Sequence, residues 1–325
     1  MSKRAYRVTP TDHTCFYPRL IGTHGAVAAN SYLSVNAGVD VLKAGGNAID
    51  AAVAATFVEG LVNPQMHTIG GECPILIRLA GERRVIAVNG NTAAPMKATP
   101  EAYRARGLTD IPDEGILAAA APAAFSALLT VLARWGTMRF ADVVAPAIEL
   151  ARNGFPVSVG VRNQHKYGLA ALEPKFRAER PGSAGVYLPG GRVPEVGQLL
   201  RNDALARTYD YLANAKDALE AFYKGDIAAE IAKFSMERDG FLELGDLERF
   251  ETRIEAPASV RFGDTELFKC GFWTQGPAEL QTIALMERFD LKSMAPGGAD
   301  YCHLLIEAMK LAYADREQYY GDPEQ

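Results

Sequence analysis

Hydrophobic positions early in the chain fall at helical spacing across residues 38–71 and are mixed with many small residues. The pair Gly45-Gly46 predicts the end of a first helix, because glycine takes up the backbone conformation that closes a helix. Asn47, with Asp50 three residues later, predicts the N-cap of a second helix. That helix carries Ala at positions 51, 52, 54 and 55 and ends at Asn63-Pro64. It has no bulky face, so a neighbouring backbone can approach it closely.

Shorter apolar runs predict the strands. One strand is expected near residues 25–30. Residues 75–79 and 85–89 flank a turn short enough for a β-hairpin. Alternating apolar and polar positions in residues 248–271 indicate further strands near the end of the chain.

Helical spacing predicts most of the remaining elements. Helices are expected over residues 117–135, with Pro122 interrupting the start, over 140–152, closed by Asn153-Gly154, and over 204–238. Residues 155–197 hold many Gly and Pro and are expected to form an irregular excursion over the surface. The last helix, over 300–319, is expected to use one face made of Tyr301, Leu304, Leu305, Ala308, Leu311 and Ala312. Strands near both ends with helices between them predict an α+β fold in one continuous domain, residues 1–325.

Composition and charge narrow the range of functions. The 325 residues are 48% hydrophobic, enough for a substantial core, and the net charge of -5 with dispersed Lys and Arg gives no support for nucleic-acid binding. No apolar run reaches the roughly 20 residues of a membrane-spanning helix. The N-terminal stretch lacks the apolar segment of a secretory signal. The four cysteines, Cys15, Cys73, Cys270 and Cys302, lie far apart. We therefore expect a cytoplasmic protein that binds neither nucleic acid nor membrane.

A series of short motifs follows in one order along the chain. They are VDVLKAGGNAIDAAVA at 39–54, NPQ at 63–65, GGECPILI at 70–77, PMKAT at 95–99, LGDL at 244–247, AYADR at 312–316 and GDP at 321–323. This series resembles the gamma-glutamyltransferase family, the autoprocessed amidases of the N-terminal-nucleophile hydrolase class. The matches cover nearly the whole chain, although each Gly or Pro alone is more often a turn requirement than a functional group.

The resemblance implies a fold and an assembly. The fold would be the four-layered αββα sandwich of N-terminal-nucleophile hydrolases, completed by a second chain. Members are made as a zymogen whose autocatalytic cleavage exposes a Thr at the start of the small subunit. The Thr hydroxyl is the nucleophile, and its own α-amine is the base. We therefore expect this chain to be the large subunit of a heterodimer, with no catalytic residue of its own and with a dimer of heterodimers left open.

The resemblance also identifies a position for substrate binding. The family holds an Arg just upstream of its APxKAT segment, where it grips the α-carboxylate of a glutamyl substrate. Alignment on residues 94–99 places Asn91 at that position. An Asn amide has two N–H donors and no positive charge, whereas a hydrogen bond to a charged group contributes about 1.5 to 3 kcal/mol. The missing Arg argues against efficient gamma-glutamyl transfer.

Gly90, Asn91 and His67 are the predicted substrate-binding residues. Asn89-Gly90 also fits a plain turn capped by Asn91, and His67 also fits a solvated loop residue beside the NPQ turn. The five His residues show no HxxxH or HxH pairing, and the cysteines are dispersed. No metal and no cofactor are expected.

Two further features carry weaker expectations. Asp315 and Arg316, in the AYADR motif, are expected to play a structural ion-pair role. Trp273 lies in the stretch WTQGP, which replaces a Pro- and Ser-rich stretch common in the glutamyl-specific enzymes. This side chain is expected either to narrow a groove or to fill core.

Together these observations predict the large subunit of an autocatalytically processed amidohydrolase. Its substrate would be a small amide, oxamate-like or with a glutaryl-type side chain, cleaved through an acyl-enzyme on the partner chain's Thr. One alternative is a true gamma-glutamyltransferase or glutathione hydrolase whose carboxylate anchor lies elsewhere. Another is a phosphate- or nucleotide-binding module that uses the helix start at Gly45-Gly46-Asn47. The last is a non-catalytic scaffold that has lost processing.

Overall fold

The computed structural model describes residues 20–321. Four features of the sequence analysis lie outside these residues. They are the N-terminal stretch without an apolar signal segment, Cys15, and the last two residues of the GDP motif, Asp322 and Pro323.

The two small-residue helices form as predicted. Helix α1 (Tyr32–Lys43) ends ahead of Gly45, whose φ of 93° is in the left-handed region that favours glycine. Helix α2 (Ala48–Val62) begins at Asn47 and ends at Asn63. The Asn47 side chain accepts from the backbone of Asp50 while the Asp50 carboxylate accepts from the backbone of Asn47, which is a complete capping box. These caps fix where α2 enters and leaves the core.

The predicted hairpin forms two strands of a three-stranded antiparallel sheet. Strands β1 (Ile75–Arg78) and β2 (Val85–Asn89) pair with Ile75 opposite Val88. After a long excursion of the chain, β5 (Arg253–Glu255) joins β2 on its other side, in the order β1-β2-β5. The end of β2, which leads to Asn91, therefore lies inside the sheet rather than at its edge.

The strand expected at residues 25–30 is absent from the structure. The segment is extended, but no strand of residues 20–321 pairs with it. Extended backbone forms a β-strand only when it is hydrogen-bonded to another strand. Val27 packs against α1, where a Cβ at Gly38 would lie 2.9 Å from its side chain. The other residues of the segment are exposed.

Helices dominate the middle of the chain. Pro122 does separate a 3₁₀ turn from α4 (Ala124–Trp135), and α5 (Phe140–Asn153) is closed by Gly154 with φ 95°, as the sequence predicted. The region 204–238 is helical as expected. The helices of this part are α3 (Pro100–Ala105), α6 (Val159–Asn163), α7 (Leu169–Glu179), α8 (Pro181–Tyr187), α9 (Asp203–Asn214), α10 (Ala218–Tyr223), α11 (Asp226–Met236) and α12 (Leu244–Glu248).

The prediction of an irregular excursion at residues 155–197 is largely wrong. Three helices, α6 to α8, lie there, and the short strands β3 (Phe155–Pro156) and β4 (Leu199–Leu200) pair at its ends. Pro181 is at the first turn of α8, where a missing N–H costs nothing, so this proline starts a helix rather than breaking one. Phe176 and Leu188 are buried, so the segment adds to the core.

The C-terminal part consists of strands β6 (Ala258–Phe262) and β7 (Thr265–Lys269), helix α13 (Gly276–Met286) and helix α14 (Ala299–Tyr319). The predicted apolar face of α14 is only partly correct. Ala308 and Ala312 are buried against α13, but Leu311 is 58% exposed. Ile306 and Tyr313 are also exposed, so α14 carries apolar side chains that residues 20–321 leave uncovered.

One large core joins helices and sheet. Phe57 of α2 lies at its centre, with its ring edge-on to Phe125 of α4 and to Tyr209 of α9. Ile77, Ile86 and Val88 bring the sheet into the same cluster. The fold is α+β, as predicted. None of the helices within residues 20–321 combines the length and the apolar character that crossing a membrane would require.

Candidate functional site

Gly90 is a packing residue at the end of β2. Its carbonyl accepts from the backbone N–H of Cys73 at 2.8 Å, and a Cβ at this position would lie 2.0 Å from the Cys73 carbonyl oxygen. No side chain other than hydrogen fits there without moving the backbone. Gly90 thus holds the GGEC segment, and with it Glu72, against the start of the Asn91 loop.

Asn91 is half-buried and lies beside Glu72. With its nitrogen turned to the Glu72 carboxylate, the Asn91 amide donates to the two oxygens at 3.0 and 3.1 Å. The opposite orientation would set oxygen against oxygen, so we assign the nitrogen to the Glu72 side. The Thr92 hydroxyl also donates to Glu72, at 3.1 Å. Glu72 was not among the residues singled out from the sequence, since only the pairing of two distant loops brings it to Asn91.

The predicted turn is present in a modified form. The backbone N–H of Asn91 donates to the Asn89 side-chain oxygen at 3.1 Å, so Asn89 caps the turn rather than Asn91. The Asn89 amide in turn donates to Glu255 on β5 at 3.1 Å. The other oxygen of Glu255 accepts from the Trp273 indole at 2.8 Å. These bonds tie the Asn91 loop to the Trp273 loop.

Asn91 opens into a cavity of about 670 Å³. Trp273 is part of its lining and is not part of the buried core, so of the two roles expected for this side chain the structure leaves the one at a groove. Three arginines share the cavity with two glutamates. The charged lining residues are Arg249, Arg253, Arg316, Glu251 and Glu317.

The PMKAT segment is held by the LGDL motif far along the chain. The Asp246 carboxylate accepts from the backbone N–H of Met96 at 3.1 Å and from Arg249 at 2.9 Å. Lys97 pairs with Glu243, one turn before Asp246. Two motifs separated by about 150 residues in sequence therefore form one support beneath the Asn91 loop.

The AYADR motif does not form the ion pair expected of Asp315 and Arg316. Asp315 accepts from the Gln281 amide at 2.5 Å. Arg316 instead pairs with Glu317, donates to the Gln275 side-chain oxygen at 2.7 Å and lies over the Tyr313 ring at 4.5 Å. Neighbouring helical residues point in different directions, so Asp315 faces α13 and Arg316 faces the cavity.

His67 lies in a different cavity from Asn91. This second cavity, of about 770 Å³, is lined by residues 24–30, by the small residues of α2, and by Glu59, Met66, His67 and Cys73. Burial lowers the pKa of His67, although the nearby Glu59 carboxylate opposes the shift. Its Nε2 is buried without a hydrogen-bond partner among residues 20–321. The segment that carries Glu72 and Cys73 separates His67 from Asn91.

The Cys73 thiol, in the lining of the second cavity, is not an activated nucleophile. Burial raises the pKa of the Cys73 thiol to about 11, so it stays protonated at neutral pH. Within the described residues, no three His, Cys, Asp or Glu side chains are grouped so that they could hold a metal ion.

The start of α2 is already occupied by a carboxylate. Asp50 is fully buried and accepts from the Thr137 hydroxyl at 2.6 Å and from the backbone of Met138 at 3.1 Å. Burial raises its pKa, but the hydrogen bonds from Thr137, Asn47 and Met138 outweigh burial and hold the pKa below its usual value. An external anion at Gly45-Gly46-Asn47 would meet this charge, so the structure gives no support to the phosphate-binding alternative.

Comparison with known proteins identifies the family. A family model described as gamma-glutamyltranspeptidase matches residues 34–325. The chain belongs to this family. The crystal structure of Helicobacter pylori gamma-glutamyltranspeptidase superposes with a TM-score of 0.86 at 27% identity, covering 94% of this chain and 87% of that one. The fold is therefore that of the N-terminal-nucleophile hydrolases, as the sequence motifs predicted.

Two curated members of the gamma-glutamyltranspeptidase family differ in the activity that their names state. The Acylase ACY 1 proenzyme of Pseudomonas sp. (strain SE83) is 33% identical over 323 residues, 96% of this chain and 56% of that protein. The glutathione hydrolase proenzyme of Escherichia coli (strain K12) is 30% identical over 312 residues, 92% of this chain and 51% of that protein. The chain thus spans about half the length of these relatives. Both are named proenzymes.

Proposed function

We propose that this chain is the large subunit of an autoprocessed amidohydrolase that cleaves a small amide other than a gamma-glutamyl amide. The carrying observation is Asn91, a neutral amide held by Glu72 at the position where the resemblance places the carboxylate-gripping Arg. The acyl groups we propose are short and dicarboxylic, oxamate-like or glutaryl-type. The name of one relative, Acylase ACY 1 proenzyme, supports amide cleavage as the reaction.

The partner we propose is a small subunit cut from the same precursor, with Thr at its N-terminus. The proenzyme names of the relatives and their greater length support it. A surface for it is available where the unpaired segment 25–30 and the small side chains of α2 line the second cavity. A strand from the partner would give the extended segment the pairing that it lacks within residues 20–321, and the small residues would let the two layers approach closely.

The chemistry of the proposed reaction divides between the two chains. The partner's Thr hydroxyl attacks the amide carbonyl, its α-amine takes the hydroxyl proton and passes it to the leaving nitrogen, and water then releases the acid. An α-amine suits this task because its usual pKa, about 7.7 to 8.0, is close to neutral pH. This chain contributes the cavity at Asn91, which orients and selects the acyl group. His67 and Gly90 act through shape, His67 beside the partner surface and Gly90 beneath Glu72.

An assay of the full-length gene product tests this function. Ammonia release from oxamate and from glutaramate is compared with p-nitroaniline release from gamma-glutamyl-p-nitroanilide. We expect kcat/KM for at least one of the two acids to exceed that for the gamma-glutamyl substrate by about tenfold or more, the effect of one lost charged contact. A higher kcat/KM for gamma-glutamyl-p-nitroanilide would contradict the proposal.

Glutathione hydrolase activity is the second candidate. The observation that favours it is the presence of Arg249, Arg253 and Arg316 in the lining of the Asn91 cavity, since any of these guanidinium groups is a chemically suitable carboxylate anchor. The similarity to the Escherichia coli glutathione hydrolase proenzyme favours it equally. The same assay separates the two candidates.

A further inference from the structure

The Asn91 side of the cavity offers acceptors rather than donors. The Asn91 nitrogen is taken by Glu72, and the Thr92 hydroxyl proton is also directed at Glu72. What Asn91 leaves for a ligand in the cavity is its carbonyl oxygen, which only accepts, while the Glu72 carboxylate lies against Asn91 and Thr92 outside the cavity lining. A carboxylate brought to this side would meet the like charge of Glu72 beside Asn91. The free carboxylate of a dicarboxylic monoamide therefore needs another part of the lining.

Arg316 is suited to bind that carboxylate. Two of its N–H groups are used, one by Gln275 at 2.7 Å and one by Glu317. A guanidinium has five N–H donors, so three are left without a partner among residues 20–321. The Tyr313 ring lies beneath the guanidinium carbon at 4.5 Å, and the side chain is only 29% exposed. Ring and amide hold the group in place before a ligand arrives, which lowers the entropy cost of binding.

The loop 273–275 connects Arg316 to Asn91. In the assigned orientation the Asn91 Oδ1 lies about 3.4 Å from the Trp273 carbonyl oxygen, with no hydrogen bond between these two acceptors. Gln275, two residues later, accepts from Arg316. Asn91, Trp273, Gln275 and Arg316 all line the same cavity. The loop therefore has Glu72, which repels a carboxylate, beside Asn91 near one end, and the guanidinium of Arg316 near the other. A short acyl chain in this cavity lies between them.

We propose that Arg316 is the specificity-determining residue that binds the free carboxylate of the acyl group, while Glu72 excludes this carboxylate from the Asn91 side. This inference rests on the proposed function, since it names the residue that binds the free carboxylate of the proposed substrate. The substrate class that follows is the monoamide of a short dicarboxylic acid, without need of an α-amino group.

Binding measurements on the full-length protein test the assignment. Isothermal titration calorimetry compares glutaramate with pentanamide, which has the same chain length and amide but no carboxylate. Arg316→Gln should weaken glutaramate binding about tenfold and leave pentanamide binding unchanged, because only the charged contact is lost. Arg316→Lys, which keeps the charge but not the planar fork, should show a smaller loss. Glu72→Gln should strengthen glutaramate binding selectively. Arg288→Gln, an exposed arginine outside the cavity lining, is the matched control.

The outcomes separate this inference from the proposed function. Binding of glutaramate that depends on Arg316, without ammonia release, would support the carboxylate site and contradict the amidohydrolase. Ammonia release with equal affinity for glutaramate and pentanamide would contradict the carboxylate site alone. Equal losses for both ligands in Arg316→Gln, or no binding of either ligand to the unmodified protein, would also overturn the assignment to Arg316.

Discussion

The charge at position 91 depends on the neighbouring Glu72 as much as on Asn91 itself. Asn91 has no charge, and Glu72 adds a negative charge 3.0 Å from the amide. Under the proposed function, a carboxylate-bearing substrate would therefore lose an anchor and meet a repulsion at the same place. Position 91 could be identified from the sequence by its motif. Glu72 could not, because its role depends on the backbone contact between Cys73 and Gly90.

Restoring an arginine at position 91 tests this neighbour effect. In Asn91→Arg alone, the new guanidinium should pair with Glu72, so kcat/KM for gamma-glutamyl-p-nitroanilide should rise only slightly. In the double variant with Glu72→Gln, the guanidinium is free to bind the substrate carboxylate, and kcat/KM should rise by about tenfold more. Asn91→Gln controls for side-chain length. Equal values for the single and double variants would show that Glu72 does not control this position.

His67 provides a second test at the scale of a residue. Because burial lowers its pKa, its imidazole should titrate below the ordinary value of 6.5 in the folded protein. Its folded pKa lies below the unfolded one, so its contribution to stability is complete above about pH 6.5 and is lost as the pH falls through the folded pKa. NMR titration of the ring, assigned with His67→Gln, measures the midpoint. A midpoint above 6.5 would contradict the burial described here.

Gly90 tests the support of the site. Gly90→Ala forces a Cβ to within 2.0 Å of the Cys73 carbonyl, a backbone atom that cannot move alone. We expect the free energy of unfolding to fall by about 1 to 3 kcal/mol, as for overpacked interiors, together with loss of activity. Gly182→Ala, where a Cβ would meet nothing within 4 Å, is the matched control. Urea denaturation that gives equal midpoints for the two variants would contradict the close packing at Gly90.

At the scale of elements, the sequence predicted correctly those helix ends and strands whose hydrogen-bond partners are close in sequence. The caps at Asn47 and Gly154 and the hairpin at 75–89 depend on neighbouring residues, and the structure confirms them. The strand at 25–30 was wrong because a strand needs a partner, and residues 20–321 contain none for it. The excursion at 155–197 was wrong because Pro174 lies within helix α7 and Pro181 lies at the start of helix α8.

Asp50 is the element-scale test. Asp50→Ala removes the carboxylate that accepts hydrogen bonds from Thr137, Met138 and Asn47, where α2 meets the loop after α4. The free energy of unfolding should therefore fall by about 3 kcal/mol. The folded pKa of Asp50 lies below the usual value of 3.8, so this stabilisation is present above that value and is lost as the pH falls through the folded pKa. Denaturation midpoints from pH 7 to pH 3 measure the loss. A difference between wild type and variant that does not shrink toward pH 3 would contradict the role of the charged form.

At the scale of the molecule, the surfaces that the described residues leave uncovered indicate where a partner chain would bind. The unpaired segment 25–30, the small-residue wall of the second cavity and the exposed apolar side chains of α14 are all surfaces that residues 20–321 leave open. The four-layered fold was predictable from collinear motifs. Contacts such as Glu72 with Asn91, or Arg316 with Gln275, were not predictable from the sequence. They join residues that are far apart along the chain and that no helix or strand period relates.

The proposal that matters most for this protein is that the chain is one half of an autoprocessed amidohydrolase whose nucleophile is on the other half. Intact-mass spectrometry of the purified full-length gene product, with N-terminal sequencing of each species, measures this directly. We predict two associated chains from one precursor, the second beginning with Thr. A single unprocessed species, or a second chain that begins with a residue other than Thr, Ser or Cys, would contradict the claim.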